Sequence, residues 1–283
     1  MTRSAHSTAA RRRVFRQLHE SGCFVIPNPW DAGSALFLQS LGFKALATTS
    51  SGFAWSMARP DGAASREIVL DHMRDMVDAT ELPVNADFES GYAAEPAGVA
   101  ESVRLAIDTG VAGLSIEDAT GDPAHPLFEL DVAVARIRAA RGAIDEAGGD
   151  TLLVGRAENF LVGQPDLDAT LLRLKAYATA GADCLYAPGI RTREQIAAVV
   201  AAVAPKPVNL LIGSASELTV QDIAALGVRR VSVGGALARS AWGGFMRAAR
   251  LIAEQGRFDG FADAASGQEL NALFRASMRD HPF

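Results

Sequence analysis

The sequence predicts a single α/β domain, a (β/α)8 barrel of the TIM type that spans residues 1–283. Short β-prone runs alternate with alanine-rich helical segments about eight times along the chain. Most of these runs are continuously apolar, as expected of parallel strands that are covered on both faces. Glycine directly follows several of the helical segments, at the position where helices close in the left-handed conformation. So many units with short connections favour a barrel over an open doubly wound sheet.

The elements follow in chain order. A helix is predicted within residues 1–20, after a basic start that lacks the apolar stretch of a signal peptide. Strands are predicted at 23–27, 45–49, 84–88, 113–117, 152–156, 184–186, 207–211 and 231–233. Helices are predicted between and after them, at about 32–41, 66–79, 97–109, 131–147, 167–180, 192–203, 219–226 and 236–255.

Residues 261–283 are predicted to form a C-terminal helical extension of the barrel, with its helix at about 266–279. One face of this helix is apolar, so another surface is expected to cover it. The apolar positions are Leu270, Leu273, Phe274 and Met278.

Composition narrows the class of function. The chain is 49% hydrophobic and 21% charged, with a net charge of −6. An acidic balance argues against a nucleic-acid or membrane-surface protein, because both need a basic face. The only cysteines, Cys23 and Cys184, lie in predicted strands, where buried reduced thiols are common. We therefore expect a reduced, cytoplasmic enzyme that acts on a small molecule and does not enter a membrane.

Polar residues gather at the carboxyl ends of the predicted strands, the face that carries the active site in this architecture. Asp87 and Glu89 end the third strand, Glu117 ends the fourth and Arg156 ends the fifth, while Asp61 follows the second strand in a loop. Residues i and i+2 of a strand point to the same side, so we expect Asp87 and Glu89 to face one space.

The clustered acids predict a divalent cation, because carboxylates that share one space repel each other unless a cation lies between them. The available ligands are hard oxygens without a His or Cys cluster, which favours Mg²⁺ or Mn²⁺ over zinc. Magnesium takes one or two carboxylates directly and keeps several waters. We therefore expect Asp87 to bind the ion and Glu89, Glu117 and Asp61 to hold its waters.

Arg156 and the Ser50-Ser51-Gly52 segment are predicted to bind the anionic group of a substrate. Arg156 can hold a carboxylate or phosphonate with two parallel hydrogen bonds, and the segment is interpreted as a turn whose backbone N–H groups face the same anion. Asn209, in the seventh strand, is a further predicted substrate contact. The alternatives are a buried ion pair of Arg156 with Glu158 or Glu117, and a turn without a binding role.

The chain resembles the isocitrate lyase and phosphoenolpyruvate mutase superfamily along nearly its whole length. The similarity lies in an ordered series of runs: Asn28-Pro-Trp-Asp31, Gly42-Phe-Lys-Ala-Leu-Ala-Thr-Thr-Ser-Ser-Gly52, Pro60-Asp61-Gly62, Ala86-Asp-Phe-Glu-Ser-Gly-Tyr92, Gly113-Leu-Ser-Ile-Glu-Asp118, Gly155-Arg-Ala-Glu-Asn-Phe160, Ala180-Gly-Ala-Asp183 and Gly227-Val-Arg-Arg-Val-Ser232.

The resemblance implies a Mg²⁺-dependent barrel that cleaves or rearranges a bond next to C3 of a pyruvate-like unit. The resemblance also implies a role for each residue that occupies a functional position of the family. The four acids correspond to the metal site of the family, Arg156 to its substrate-carboxylate arginine, and Ser51 with Gly52 to its substrate clamp. Family members often swap a C-terminal helix between barrels, so a homodimer or homotetramer is expected.

The segment after the fourth strand departs from the family pattern. Isocitrate and methylisocitrate lyases carry a Lys-Lys/Arg-Cys-Gly-His loop there, with the cysteine as proton donor, whereas this chain reads Asp118-Ala-Thr-Gly-Asp-Pro-Ala-His-Pro-Leu-Phe128. The lysine and asparagine of the phosphonate-processing members are also absent. His125 remains as a candidate general acid near neutral pH, and a surface histidine without a chemical role is the alternative.

The leading expectation is a Mg²⁺-dependent lyase that cleaves a C–C bond in a small 2-oxo or 2-hydroxy dicarboxylate through a metal-bound pyruvate enolate. A C–P phosphonomutase or phosphonopyruvate hydrolase is the alternative enzyme. An oxo-acid-binding barrel without turnover is the alternative outside catalysis. The residue pattern leaves open which substrate is used and which group donates the proton.

Overall fold

Eight parallel strands form the centre of the fold in the computed structural model, which describes residues 7–280 and their side chains as far as residue 275. Neighbouring strands pair in the order β1-β8-β7-β6-β5-β4-β3-β2. The Ala47 N–H donates to the Pro27 carbonyl at 3.0 Å across the remaining seam, so the predicted TIM-type barrel is confirmed. The strands are β1 (Phe24–Ile26), β2 (Leu46–Ala47), β3 (Val84–Asp87), β4 (Gly113–Glu117), β5 (Leu152–Arg156), β6 (Cys184–Tyr186), β7 (Val208–Leu211) and β8 (Arg230–Ser232).

Helices surround the barrel, and each predicted helix is present with similar bounds. The predicted residues 1–6 and 281–283, and the side chain of Met278, lie outside the described part of the chain. The helices are α1 (Thr8–Leu18), α2 (Ala32–Ser40), α3 (Ser50–Ser56), α4 (Arg66–Ala79), α5 (Pro96–Asp108), α6 (Leu130–Glu146), α7 (Leu167–Thr179), α8 (Arg193–Val203), α9 (Val220–Ala225), α10 (Ala236–Gln255) and α11 (Gly267–Asp280).

Local signals explain where many of these helices begin and end. Asp31, Thr192 and Thr219 each accept a backbone hydrogen bond at a helix N-terminus and complete a capping box. At the other end of four helices, a glycine with positive φ closes the helix before the next strand, as predicted. These glycines are Gly42, Gly110, Gly181 and Gly227.

Helix α1 closes the amino-terminal end of the barrel. Phe15 from α1 is fully buried and joins an apolar cluster with side chains of the strands, including Leu152 and Cys184. Gly113 makes this approach possible, since a β-carbon at that position would lie 2.7 Å from the Phe15 ring. The base of the barrel is therefore a packed core, and the opposite, carboxyl-terminal face is left for binding.

The C-terminal helices extend beyond the barrel. Helix α10 buries only Ala238 and leaves Trp242, Phe245 and Met246 exposed. Helix α11 contacts α2 of the same chain, where the Phe274 ring lies 3.4 Å from the place of a β-carbon on Gly33. In the part of the chain that the structure describes, no helix combines the length and apolar character needed to cross a membrane.

Candidate active site

Four charged or aromatic side chains end consecutive strands at the carboxyl-terminal face of the barrel. Glu117 pairs in register with Arg156, and Arg156 pairs in register with Tyr186. Asp87 ends β3 beside them. Because the strands are parallel, their carboxyl ends meet at one rim, as the sequence predicts for Asp87, Glu117 and Arg156.

Arg156 is the centre of this rim and is surrounded by carboxylates. Its Nη1 lies 3.1 Å from Asp87 Oδ1 and 3.1 Å from Glu117 Oε2, and its Nε lies 2.5 Å from Glu158 Oε1. Burial alone would lower the pKa of Arg156, but the neighbouring carboxylates, Glu117 foremost, raise that pKa well above its ordinary value. The guanidinium therefore stays charged, and ion pairs with Glu117 and Glu158, the alternative interpretation of Arg156, are both present.

Asp87 is held in place from three directions. Its Oδ2 accepts a hydrogen bond from the Ser50 N–H at 3.0 Å, while Oδ1 faces Arg156. Its own N–H donates to Thr48 Oγ1 at 2.8 Å. The carboxylate that the sequence assigns to direct cation binding is thus rigidly oriented at the rim.

Glu89 reaches the same region by a route that strand geometry does not predict. Strand β3 ends at Asp87, and the backbone at Glu89 turns into the left-handed region with φ 47°. The prediction that i and i+2 share a strand face is therefore wrong for this pair. A turn places the Glu89 carboxylate where the Tyr92 hydroxyl donates to its Oε1 at 2.9 Å.

The acids of the rim influence one another. Burial raises the pKa of Glu89 to about 7, and the Asp87 and Asp61 carboxylates add to that rise. Asp61 lies in the loop after α3 and remains exposed, yet partial burial and the Asp87 charge also raise its pKa. Burial raises the pKa of Glu117 well above the ordinary range even though Arg156 opposes the shift.

A divalent cation fits this set of residues. One guanidinium cannot balance the acids around it, and the surplus negative charge favours a further cation. Among the described residues, no three His, Cys, Asp or Glu side chains converge closely enough to hold an ion directly. The assignment of direct contact to Asp87 and of water-mediated contacts to Glu89, Glu117 and Asp61 stays a prediction.

The Ser50-Ser51-Gly52 segment is the start of helix α3 rather than the predicted turn. Thr49 caps this helix by accepting from the Gly52 N–H at 3.3 Å, and Ser51 Oγ lies 3.2 Å from Thr49 Oγ1. Gly52 is buried against Trp30, where a β-carbon would lie 3.1 Å from that side chain. The N–H groups of Ser50 and Gly52 thus already have partners within the protein.

The polar contacts of His125 and Asn209 are with residues other than Arg156. Asn209 nevertheless pairs in register with Tyr186. The His125 side chain is 85% exposed, and its charged neighbour is Asp122 at 3.4 Å. Asn209 is fully buried inside the barrel, where it donates to Ser232 Oγ at 2.9 Å and accepts from Arg230 Nε at 2.8 Å. Asn209 thus joins β7 to β8 inside the barrel, and its predicted contact with substrate stays a prediction.

Tyr186 and Tyr92 complete the site beyond the site residues predicted from the sequence. Glu158 also joins it, a residue that the sequence suggests only as an alternative ion-pair partner of Arg156. Glu158 is buried beside Arg156, and its N–H is fixed by Asp118 Oδ1 at 2.8 Å. Tyr186 lies under the guanidinium, with its ring centroid 5.1 Å from Arg156 Cζ, and Tyr92 orients Glu89. Glu158 lies two residues after Arg156 in the sequence. This spacing is the sequence signal that could have identified Glu158 as a site residue.

A cavity of about 330 Å³ opens at the same end of the barrel, next to the loops that follow β6, β7 and β8. Its lining includes Gly189, Ser214, Gly235 and Arg239. Gly235 lies directly against the start of α3, since a β-carbon there would be 2.6 Å from Ser51 Oγ. The cavity therefore adjoins the segment that anchors Asp87.

Comparisons with known proteins agree with this geometry. A family model described as phosphoenolpyruvate phosphomutase matches residues 15–253. A solved structure from Burkholderia cenocepacia J2315, provisionally assigned as a lyase/mutase, is similar at 48% identity and a TM-score of 0.92, covering 95% of this chain and 97% of that one.

Two further relatives have named activities. An oxaloacetate decarboxylase from Bradyrhizobium sp. strain BTAi1 is 33% identical over 238 residues, which cover 79% of this chain and 77% of the relative. The structure of an oxaloacetate acetylhydrolase in complex with its product oxalate is similar at 29% identity and a TM-score of 0.83, covering 98% of each chain.

Proposed function

The chain belongs to the phosphoenolpyruvate phosphomutase family, within the isocitrate lyase and phosphoenolpyruvate mutase superfamily, and from this premise we propose that it is a Mg²⁺-dependent carbon–carbon lyase for a small 2-oxo or 2-hydroxy dicarboxylate. The observation that carries the proposal is the charged Arg156, held at the barrel rim among Asp87, Glu117 and Glu158. Two of the similar proteins act, by their names, on oxaloacetate. Oxaloacetate is therefore the first substrate to test.

The acids of the rim would hold the cation. Asp87 would bind it directly, while Glu89, Glu117 and Asp61 would hold its waters. When bound, Mg²⁺ or Mn²⁺ supplies positive charge that stabilises the negative charge developing on the oxygens of a 2-oxo acid. Asp87 is suited to its role because Ser50 and Arg156 already fix both of its oxygens in the free protein.

Arg156 binds and orients the carboxylate of the substrate in this proposal. A guanidinium presents parallel N–H groups that match both oxygens of a carboxylate. Glu158 fixes Nε at 2.5 Å, and the Tyr186 ring supports the flat face, so the side chain is oriented before substrate arrives. The start of α3, with Ser50, Ser51 and Gly52, forms the neighbouring wall of the substrate site.

The proposed proton donor lies on the loop after β4. The loop after β4 closes on itself, with a bridge between Ala119 and Leu127 and the Phe128 N–H donating to the Asp118 carbonyl at 2.9 Å. His125 lies on this loop and is the proposed general acid, which requires that the loop move it towards Arg156. Its exposure in the free protein favours a second candidate function, an oxo-acid-binding barrel without turnover.

The experiment is to incubate the purified protein and Mg²⁺ with oxaloacetate, methylisocitrate or phosphonopyruvate and to measure pyruvate and phosphoenolpyruvate. Pyruvate from either of the first two substrates supports a C–C lyase. Turnover of phosphonopyruvate instead assigns the C–P alternative. Tight oxalate binding without turnover of any of the three overturns the lyase proposal in favour of the binding protein.

The assembly proposed for this enzyme is a homodimer or homotetramer in the cytoplasm. Helix α10 leaves Trp242, Phe245 and Met246 exposed along one face, a pattern that favours cover by a second copy of the chain. Sedimentation velocity of the wild type and of a variant with W242S and F245S would test this, since a wild-type monomer contradicts the proposal.

A further inference from the structure

Arg136 is a buried arginine outside the proposed reaction chemistry. It lies on α6 and is only 1% exposed. Its guanidinium donates to three backbone carbonyls of the loop after β3: Nη1 to Ala93 at 2.6 Å and to Ala94, and Nη2 to Ser90. Burying a guanidinium costs free energy unless its N–H groups are hydrogen-bonded. These three contacts therefore compensate the burial of Arg136.

The loop that Arg136 holds has a strained backbone. Glu89 and Tyr92 both adopt left-handed φ values, 47° and 55°, and Gly91 between them has φ 80°. A non-glycine residue in this conformation is strained and persists only where surrounding contacts impose it. The Arg136 contacts at residues 90, 93 and 94 lie within and directly after that segment.

The same guanidinium also contacts a second loop. Its Cζ lies 4.0 Å from the centroid of the Phe128 ring. Phe128 closes the loop that carries His125, because its N–H donates to the Asp118 carbonyl and its own carbonyl accepts from Arg173 Nη1 at 2.9 Å. One side chain therefore joins the loop that carries Glu89 to the loop that carries His125.

We propose that Arg136 is a positioning residue that fixes the Glu89–Tyr92 turn at the cation site and couples it to the loop after β4 through Phe128. The planar, forked guanidinium is needed for both contacts, because lysine can neither bridge three carbonyls nor stack on a ring in the same way. The proposal rests on the proposed function only in placing Glu89 near the cation.

The first test is hydrogen–deuterium exchange, which does not require turnover. R136K should accelerate amide exchange in both 90–95 and 119–128 by about tenfold or more, the effect of losing one charge-assisted hydrogen bond. R138K is the matched control, since Arg138 is exposed on the same helix. Unchanged exchange in R136K, or acceleration in 90–95 alone, would overturn the coupling.

A second variant keeps the proposal testable if R136K does not fold. F128L removes only the ring, so it should accelerate exchange in 90–95, a segment that Phe128 reaches through Arg136. Exchange in 90–95 equal to that of the wild type would contradict coupling through the guanidinium.

Cation affinity tests whether Arg136 acts through Glu89. R136K should weaken Mn²⁺ binding, measured by electron paramagnetic resonance, by about tenfold, as expected when a supporting partner of a ligand is lost. The double variant R136K/E89Q should bind Mn²⁺ as E89Q alone does. Additive losses would show that Arg136 does not act through Glu89. If the wild type turns over no substrate, the proposed reaction fails while these binding and exchange results still decide the role of Arg136.

Discussion

Arg156 Nη1 lies 3.1 Å from Asp87 Oδ1 and thereby links the carboxyl ends of β5 and β3 across β4. Both side chains are largely buried, with 15% and 19% of their surface exposed. The proposed anion-binding group and the proposed cation ligand are thus in direct contact.

Replacing Arg156 should impair both binding and turnover. R156K keeps the charge but loses the fork that serves Glu158 and Asp87, and truncating such a buried hydrogen-bonded pair costs about 2–5 kcal/mol. We expect a corresponding fall of roughly 30- to 5,000-fold in kcat/KM for the identified substrate. The matched control is R193K, because Arg193 pairs with Asp222 at 2.8 Å on the surface. Equal losses in the two variants would contradict a special role for Arg156.

Glu89 should make the metal-free protein less stable as pH rises through its titration, whereas buried His19 and His72, whose pKa values are lowered, act in the opposite direction below about pH 6.5. The pKa of Glu89 is raised to about 7 in the folded chain from an ordinary value of 4.5. Between these values the folded chain keeps a proton that the unfolded chain has released, so the free energy of unfolding falls as pH rises. The raised pKa values of Asp61 and Glu117 act in the same direction.

The check is the melting temperature of the metal-free wild type, E89Q and E20Q between pH 5 and 8. E89Q should reduce the slope, whereas E20Q, at an exposed position, should retain it. Added Mg²⁺ should stabilise the wild type more at pH 8 than at pH 5.5, because protons and cations compete for the same carboxylates. An identical slope in E89Q and the wild type would show that Glu89 does not contribute to the pH dependence of stability.

His125 should matter for the rate and not for the fold. Its side chain is 85% exposed, so H125A should leave the melting temperature and oxalate binding unchanged. As the general acid, its loss should lower kcat by about 10²- to 10⁴-fold. Steady-state kinetics and oxalate titration of the same preparation separate the two effects. A kcat equal to that of the wild type would show that His125 is a surface residue without a role in catalysis.

The rim of the site could be predicted because it follows from strand ends alone. Continuous apolar runs located the strands, and parallel strands in a barrel bring their carboxyl ends together. Asp87, Glu117 and Arg156 therefore met as expected. Their identities and order in the sequence were sufficient, since no side-chain detail is needed to place them at one face.

The remaining site residues depend on contacts that are distant in sequence. Asn209 is turned into the barrel wall by Arg230, 21 residues later. Glu89 begins a left-handed turn, and Arg136 on helix α6 holds that turn in place. Local patterns do not encode these tertiary effects. The Ser50-Ser51-Gly52 segment is an exception, because its immediate neighbour Thr49 caps a helix there by accepting from the Gly52 N–H.

The most direct test of the central claim is calorimetric titration of oxalate into the wild type, D87A and D75A, with and without Mg²⁺. Asp75 is exposed on α4 and serves as the matched control. If Asp87 anchors a cation that binds a 2-oxo acid beside Arg156, the wild type and D75A will bind oxalate only with Mg²⁺, and D87A will not bind it. Mg²⁺-dependent oxalate binding by D87A equal to that of the wild type would contradict the proposed site.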